Sequence, residues 1–450
     1  MKFKLRTVVC LLLAILIPEL ILDANALAQE PMPVRVTLQD AIQRGLQVNL
    51  KVLVAGTQVE EAEGARTRRM SAALLPRVNA QAYANIQNRD LQAFGISLPG
   101  MPAVVGPFSN YDFRIYAQQN LIDIESRHAF KASERALDAD KMNERDARDL
   151  IVRVIAGLYL SAQSAAARAD AAQSRVTDSN ALLKLAKDKH DVGTATGVDV
   201  LRAEVQLAND RQALLIFQNQ SRQSQLELAR NLGMNTGTPL ELAEPLIFRP
   251  LIRREIEKIA SAALLARADY LALASQREEL IEQQRANRAR SYPKLSINGN
   301  LGEIGRSIGG VQTTGIIQGQ IDFTLFDRDR NGEAQELASR VKLIDDQIAD
   351  QRRGIEEELR EALLNLDSAA EQVAVAHEGQ ELAKRELELA QDRFQQGTAN
   401  NVEVVTAQDE LARAEENCIL AISSHVDAKF SLARAMGDTE KNIVELMGNP

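Results

Sequence analysis

Two stretches of this chain, 125–190 and 329–396, contain no proline and only Gly157 in the first and Gly332, Gly354 and Gly379 in the second. An uninterrupted helix of roughly 65 residues is about 100 Å long at 1.5 Å per residue. Globular domains seldom need such helices, whereas coiled coils and helical tubes do. Leu382, Leu387, Leu389 and Phe394 predict part of an apolar seam, with Glu and Lys filling the outside. The chain has no Trp and few aromatic residues. Its small side chains suit close helix–helix contact better than a wide core. Each long helix is expected to stop at a Gly-Thr turn, Gly193-Thr194 or Gly397-Thr398. A second helix then returns over 198–232 or 402–436 and closes at Gly233 or Gly437, the expected C-terminal glycines.

These features occur twice in one register. Gly193-Thr194-Ala195-Thr196-Gly197-Val198-Asp199-Val200 corresponds to Gly397-Thr398-Ala399-Asn400-Asn401-Val402-Glu403-Val404, 204 residues later. Leu228-Ala229-Arg230 against Leu432-Ala433-Arg434, and Leu121-Ile122-Asp123 against Leu325-Phe326-Asp327, keep that offset of 204. Upstream, Leu75-Pro76 matches Tyr292-Pro293 at an offset of 217. The 13 extra residues of the first copy therefore fall between Pro76 and Asn120, in the Gly/Pro-rich run 95–107, where insertion costs least. The pattern reads as a duplication. The first repeat occupies 29–238, a linker 239–254, the second repeat 255–437 and a C-terminal tail 438–450.

Within each copy the period changes. Leu38, Ala41, Ile42 and Leu46 follow Thr37 at helical spacing, with Thr37 a candidate N-cap and Asp40 at the third helical position. The Leu75-Pro76 and Tyr292-Pro293 pairs end the opening helices. Period-2 alternation then predicts strands at about 78–92, 110–122, 294–303 and 314–326, each with one apolar and one polar face. Two hairpins per chain cannot close a barrel, and open edges are not tolerated in lipid. Two chains would supply about eight strands, a bore that side chains fill; three would supply about twelve and leave room for water.

The N-terminus reads as a targeting segment. Lys2, Lys4 and Arg6 precede the apolar run Val8–Leu16, and Ala26-Leu27-Ala28 is a small-x-small site. Residues 1–28 are therefore expected to be a signal peptide cut after Ala28. Only Cys418 remains afterwards; it cannot form an internal disulfide, and its helical setting predicts a buried thiol. The net charge of -9 argues against nucleic acid as a partner.

At this point the ordered set of motifs resembles the TolC family of outer-membrane efflux proteins. The resemblance rests on Thr37-Leu38-Gln39-Asp40-Ala41-Ile42, the two X-Pro pairs, Leu325-Phe326-Asp327, and the two Gly-Thr turns with Asp199-Val200-Leu201 and Glu403-Val404-Val405 behind them. It covers nearly the whole chain beyond the leader. It implies a mostly α fold with membrane β-hairpins. In that fold, a homotrimer builds a 12-stranded outer-membrane β-barrel continued by a periplasmic 12-helix α-barrel. It also implies a periplasmic adaptor and an inner-membrane pump of the RND or ABC type as partners, and contact with outer-membrane lipid. No cofactor or metal is implied. The family's two entrance aspartates fall on Glu403 and Thr406, so one carboxylate is kept and one is absent; the arginine after the family's Gly-Thr falls on Ala399. Glu403 and Thr406, with Asp199 and Arg202 of the first copy, are thus the pore-constriction candidates. Gly193, Thr194, Gly397 and Thr398 mark the periplasmic tip turns. A ring of Glu403 carboxylates would attract cations. Glu403 also lies in the first turn of its helix, where a carboxylate steadies the dipole. Asp199 has the same two readings, and Arg202 is placed to pair with it.

Other chemistry finds little support. His128, His190, His377 and His425 are scattered without ligand spacing. Asp327, Asp329, Asn331 and Gly332 open like a calcium loop, but the twelfth position is Ala338, so a capped strand-to-helix turn is expected. The adjacent Glu356 and Glu357 do not face one another on a helix and make no hydrolase site. The expected role is an export channel in a tripartite pump, for drugs or other small molecules. A type I protein-secretion channel and a non-channel periplasmic coiled coil are the alternatives.

Overall fold

The computed structural model describes residues 34–97, 99–251 and 262–447; the expected signal peptide lies outside them. In chain order the elements begin β1 (Val34–Val36), α1 (Leu38–Val48), α2 (Leu50–Leu74), β2 (Arg77–Asp90), β3 (Val104–Ile122), α3 (Ile124–Asp191) and α4 (Gly197–Asn231). They continue with β4 (Leu240–Leu242), α5 (Ala268–Ala289), β5 (Lys294–Gly305), β6 (Val311–Asp322), α6 (Asp329–Gln395), α7 (Asn401–Met436) and α8 (Thr439–Met447). The fold is mostly helical with two β-hairpins. Two compact units divide it, and both α3 and α6 contribute to each.

One unit combines the residues up to Asn49 with Val152–Leu251 and Asn365–Phe430. α1 begins with a capping box: Thr37 Oγ1 accepts from Asp40 N at 3.1 Å, and the Asp40 carboxylate accepts from Thr37 N at 3.4 Å. Its apolar stripe of Leu38, Ala41, Ile42 and Leu46 is buried. Asn49 leaves the helical region at ψ 123 and separates α1 from α2, a break that the continuous apolar spacing concealed. The expected linker 239–254 contains β4, which pairs in parallel with β1 from Val34↔Leu240 to Val36↔Leu242. Tyr159 Oη donates to Val36 O at 3.2 Å and ties this pair to α3. Three-residue strands carry too little alternation to be visible in sequence.

The other unit holds Leu50–Ile151, the described residues up to Leu364, and the chain from Ser431 onward. Its centre is one antiparallel sheet of order β2-β3-β5-β6. The register places Val78, Ala80 and Ala82 beside Ala117, Ile115 and Phe113, and these beside Gly299, Leu301 and Glu303; Ala84, Ile86 and Ile297 lie on the same face, opposite Tyr111, Ser109 and Gln119. Ile317 and Ile321 of β6 continue the same face. Most of its large residues are exposed. The opposite face carries Asn79, Gln81, Tyr116, Gln118, Asn298, Asn300 and Gln318. β3 starts at Val104, earlier than the alternation indicated, and β6 ends at Asp322, so Phe323 and Leu325 lie beyond the last strand. The expected C-terminal tail is largely the helix α8, capped by Asp149 of α3, whose Oδ1 accepts from Thr439 N at 2.8 Å.

The leucine seam of α6 needs correction. Leu387 and Phe394 are buried at 8% and 4% exposure, but Leu382 and Leu389 are exposed at 57% and 65%. The buried stripe is Ala383, Leu387, Ala390 and Phe394, spaced by four, three and four residues as one helical face requires. Leu382 and Leu389 join Val375 on a second stripe with a seven-residue repeat.

Gly437 has φ +75, and a Cβ there would sit 2.9 Å from Ala266 C and Arg267 N. Gly64 lies inside α2 with nothing within 4 Å of a Cβ. Gly437→Ala should therefore lower stability by about 1–2 kcal/mol from the left-handed backbone alone, with the clash added. Gly64→Ala should raise it by roughly 0.5–1 kcal/mol. The far-UV circular-dichroism melting midpoints of the two purified variants should move in opposite directions.

Candidate functional site

The two Gly-Thr turns have the same construction for the same reason. An α-helix ends with carbonyls that no later N–H can reach. At the end of α3, Gly193 takes φ +76, Gly193 N donates to His190 O at 2.9 Å, and Thr194 N donates to Lys189 O at 2.8 Å. At the end of α6, Gly397 takes φ +76, with Gly397 N to Phe394 O at 3.1 Å and Thr398 N to Arg393 O at 2.9 Å. Each is the paired 6→1 and 5→2 closure of a Schellman motif. The threonines extend it: Thr194 Oγ1 also donates to Lys189 O at 3.0 Å, and Thr398 Oγ1 to Arg393 O at 3.1 Å. Gly supplies the left-handed backbone and Thr a third donor to the frayed end.

The returning helices start differently. In α4, Thr196 Oγ1 accepts from Asp199 N at 3.3 Å, and the Asp199 carboxylate accepts from Thr196 N at 2.9 Å and Thr196 Oγ1 at 2.7 Å. Asp199 is only 8% exposed. These bonds to Thr196 hold its carboxyl below the usual carboxylate range. Arg202 lies 3.7 Å from Asp199 Oδ1, the pairing anticipated from their spacing. In α7, Asn400 Oδ1 accepts from Val402 N at 3.1 Å and serves as the cap. The Glu403 carboxylate turns instead to Arg393, at 2.9 Å. Thr406 is exposed on the next turn. The two aligned acids thus have different local roles, Asp199 as part of a cap and Glu403 as half of a surface ion pair.

The structure brings the two turns together within one unit. Asn401, fully buried, donates through Nδ2 to Asp199 O at 2.9 Å. Lys189 Nζ donates to Gln395 O at 2.9 Å, and Gln206 Nε2 to Asp409 Oδ1 at 3.1 Å. Beneath them Leu182, Ala186, Ala203, Leu387, Ala390, Phe394, Val404 and Ala407 form a buried cluster. Arg393 supplies a cation to Glu403 from the end of α6. The sequence reading missed Asn401, Arg393 and Lys189. A signal existed for Asn401: it stands where the first copy has Gly197, a large polar residue against glycine in an otherwise matched motif.

The histidines behave as packing or surface groups. His128 Nδ1 lies 2.7 Å from Glu282 Oε2. His425 is fully buried with its ring edge-on to Phe248 at 4.7 Å. Burial, assisted by the Lys429 ammonium, pushes its pKa down to about 4, so it is neutral at pH 7. Cys418 is a free, buried thiol. Asp327 Oδ1 accepts from Arg330 N at 3.3 Å, a strand-to-helix cap. Among the described residues there is no cluster of His, Cys, Asp and Glu able to hold a metal ion.

With this geometry in place, comparison with known proteins decides the family. The sequence profile of the outer membrane efflux protein family matches residues 41–234 and 259–438. The chain belongs to that family. It is thus an outer-membrane channel subunit of a TolC-like tripartite efflux system, exporting substrates outward, with a large periplasmic helical portion. It is a transport protein and not an enzyme. The toluene efflux pump outer membrane protein TtgC of Pseudomonas putida is 22% identical over 417 residues, covering 89% of this chain and 82% of TtgC. The antibiotic efflux pump outer membrane protein ArpC of Pseudomonas putida matches with the same identity and coverage. Among solved structures, the outer membrane protein VceC of Vibrio cholerae superposes with a TM-score of 0.74 at 19% identity, covering 89% of this chain and 96% of VceC.

The different roles of the two acids in this efflux protein have a measurable consequence. Asp199→Ala removes a capping box and should cost about 1–2 kcal/mol. Glu403→Ala removes an exposed ion pair and should cost less than about 1 kcal/mol. Thermal unfolding of the two purified variants should show the larger loss for Asp199→Ala; a larger loss for Glu403→Ala would contradict these roles.

Proposed function

We propose that three copies of this chain close a 12-stranded β-barrel in the outer membrane and a 12-helix tunnel in the periplasm, through which small molecules leave the cell. The observation that carries this reading is the sheet. It has an exposed apolar face, an amide-rich opposite face, and edge strands β2 and β6 that each pair on one side only. In hydrocarbon, unpaired edge groups cost several kcal/mol each. Pairing β6 of one copy with β2 of the next removes the edges, turns the apolar face to lipid and encloses the polar face around water. Two further stripes support association: Val375, Leu382 and Leu389 on α6, and Val198, Leu201 and Val205 on α4, all exposed in the single chain. Apolar residues repeating every seven positions are the pattern of a helix awaiting a neighbour.

In this reading a leader at 1–28 directs export and the two repeats arose by duplication. The Gly-Thr turns form the periplasmic entrance. A periplasmic adaptor docks there and an inner-membrane pump, RND or ABC, supplies the energy. The names of TtgC and ArpC, which concern toluene and antibiotics, favour small-molecule cargo over secreted protein. A detergent extract of outer-membrane fractions should contain the protein as a stable trimer; a soluble monomer would sink the reading. Deleting the gene should sensitise cells to dyes, detergents and antibiotics. Unchanged sensitivity with loss of secreted protein would favour the type I secretion alternative.

At the entrance, Glu403 is the more exposed acid and Asp199 is engaged in its cap. Glu403→Gln should therefore change single-channel conductance or cation preference in planar bilayers more than Asp199→Asn. Equal effects would remove Glu403 from the constriction.

A further inference from the structure

Two offsets seen in the sequence hold residue by residue in the sheet. First-strand positions of the two sequence copies stand 217 apart and return-strand positions 204 apart. The β2–β3 hairpin is paired from Arg77↔Gln118 to Gln87↔Phe108, and the β5–β6 hairpin from Lys294↔Asp322 to Ile304↔Gln312. Each pair of the second stretch is a pair of the first moved by those offsets. The turn into the long helix moves with them. Asp123 Oδ1 accepts from Ser126 N at 3.0 Å, and Asp327 Oδ1 accepts from Arg330 N at 3.3 Å.

The chain also contains one junction between the copies. β3 pairs with β5 from Ile122↔Leu295, through Asn120↔Ser296, to Tyr111↔Gly305. At its base Lys294 Nζ lies 2.6 Å from Glu125 Oε2, at the start of α3. Moved by the offsets, β3 becomes β6 and β5 becomes β2, the two open edges of the sheet. Lys294 becomes Arg77 and Glu125 becomes Asp329.

We propose that β6 of one copy meets β2 of the next in the register of the β3–β5 junction, with Asp329 of the first copy pairing with Arg77 of the second. This deepens the trimer reading and rests on it. On the apolar face the register sets Ile317 beside Ile86, Gly319 beside Ala84, Ile321 beside Ala82 and Phe323 beside Ala80. On the polar face it sets Gln318 beside Asn85, Gln320 beside Tyr83 and Asp322 beside Gln81. Like meets like on both faces, although only the β3–β5 pairing and the offsets fix the match. A slip of one residue would turn the isoleucines of β6 to the polar side.

The open edge also accounts for the unequal strand ends. β3, with β5 beside it, runs to Ile122, whereas β6 stops at Asp322. Phe326, the equivalent of Ile122, is 85% exposed. In the seam it lies beside Val78 of the next copy, itself exposed in the single chain, and β6 lengthens toward it. The charges at the base are equally placed for a partner. Arg77 forms no ion pair among the described residues. The Asp329 side chain is exposed and reaches Arg290 at 3.5 Å, while Arg290 holds Asp327 at 2.8 Å and Glu333 at 2.6 Å.

The full-length protein in outer membranes, carrying Cys418→Ala, would bear Asn85→Cys with Gln318→Cys as the matched pair. Asn85→Cys with Ile316→Cys or with Gln320→Cys is slipped by two residues either way. Residues directly opposite have Cβ atoms about 4.5–5.5 Å apart and diagonal ones about 7–8 Å, whereas a disulfide needs about 3.5–4.5 Å. β2 and β6 are opposite edges of one chain's sheet, so a bond between them reports a second copy. After copper-phenanthroline oxidation, non-reducing denaturing gels should show at least about fivefold more linked dimer and trimer for the matched pair. Equal yields, or a higher yield for a slipped pair, overturn the register. Arg77→Asp and Asp329→Arg should each lower the temperature at which purified trimers dissociate, and the double variant should regain at least half of the loss. A double variant no more stable than the weaker single variant overturns the ion pair. Wild-type trimers without a matched cross-link overturn the seam and leave the channel reading standing. A wild type that is monomeric throughout removes the trimer and the seam with it.

Discussion

Backbone hydrogen bonding in hydrocarbon is the constraint on which the rest of this structure depends. A strand in lipid has no water to satisfy its N–H and C=O groups, so a sheet must close or stay out of the membrane. This chain makes one four-stranded sheet and leaves two edges open. The apolar face, the amide-rich face and the exposed stripes on α4 and α6 all make sense under that condition. None of them would be stable decoration for a monomer in water, where exposed apolar surface of this extent marks an interface. The proposed trimer is the smallest closure that satisfies the edges and leaves a wide bore.

The helical part solves a different problem. Helices of this length cannot bury all their sides within one chain. Small residues line the contacts that are made: Ala186, Ala203, Ala390 and Ala407 surround Leu387, Phe394 and Val404. Alanine permits close approach of helix axes, and a few large side chains fill the remaining gaps. Each helix end is closed locally, by Gly193 and Gly397 in left-handed conformation with threonine donors behind them. The turns therefore do not need bulky contacts to hold their shape. They are tied to each other by a few polar links, Asn401 to Asp199 O and Lys189 to Gln395 O.

The two Gly-Thr turns are alike in backbone and differ in charge. Asp199 works as a cap and Glu403 as half of an ion pair, although they occupy matched positions.

Sequence alone determined the long helices, the hairpins and the capping residues. These depend on local rules: proline and glycine placement, period 2 against period 3.6, and the small set of residues that close a helix. It also singled out both acids at the turns. Tertiary structure decided what those acids do, because the partner of Glu403 is ten residues upstream on α6 and the buried Asn401 reaches across to Asp199. It also decided which leucines of α6 are core. Leu382 and Leu387 look alike in a list of apolar positions, and only the packing of neighbouring helices buries one and exposes the other. The β1–β4 pair was hidden for a related reason: three-residue strands are specified by contacts far away in sequence.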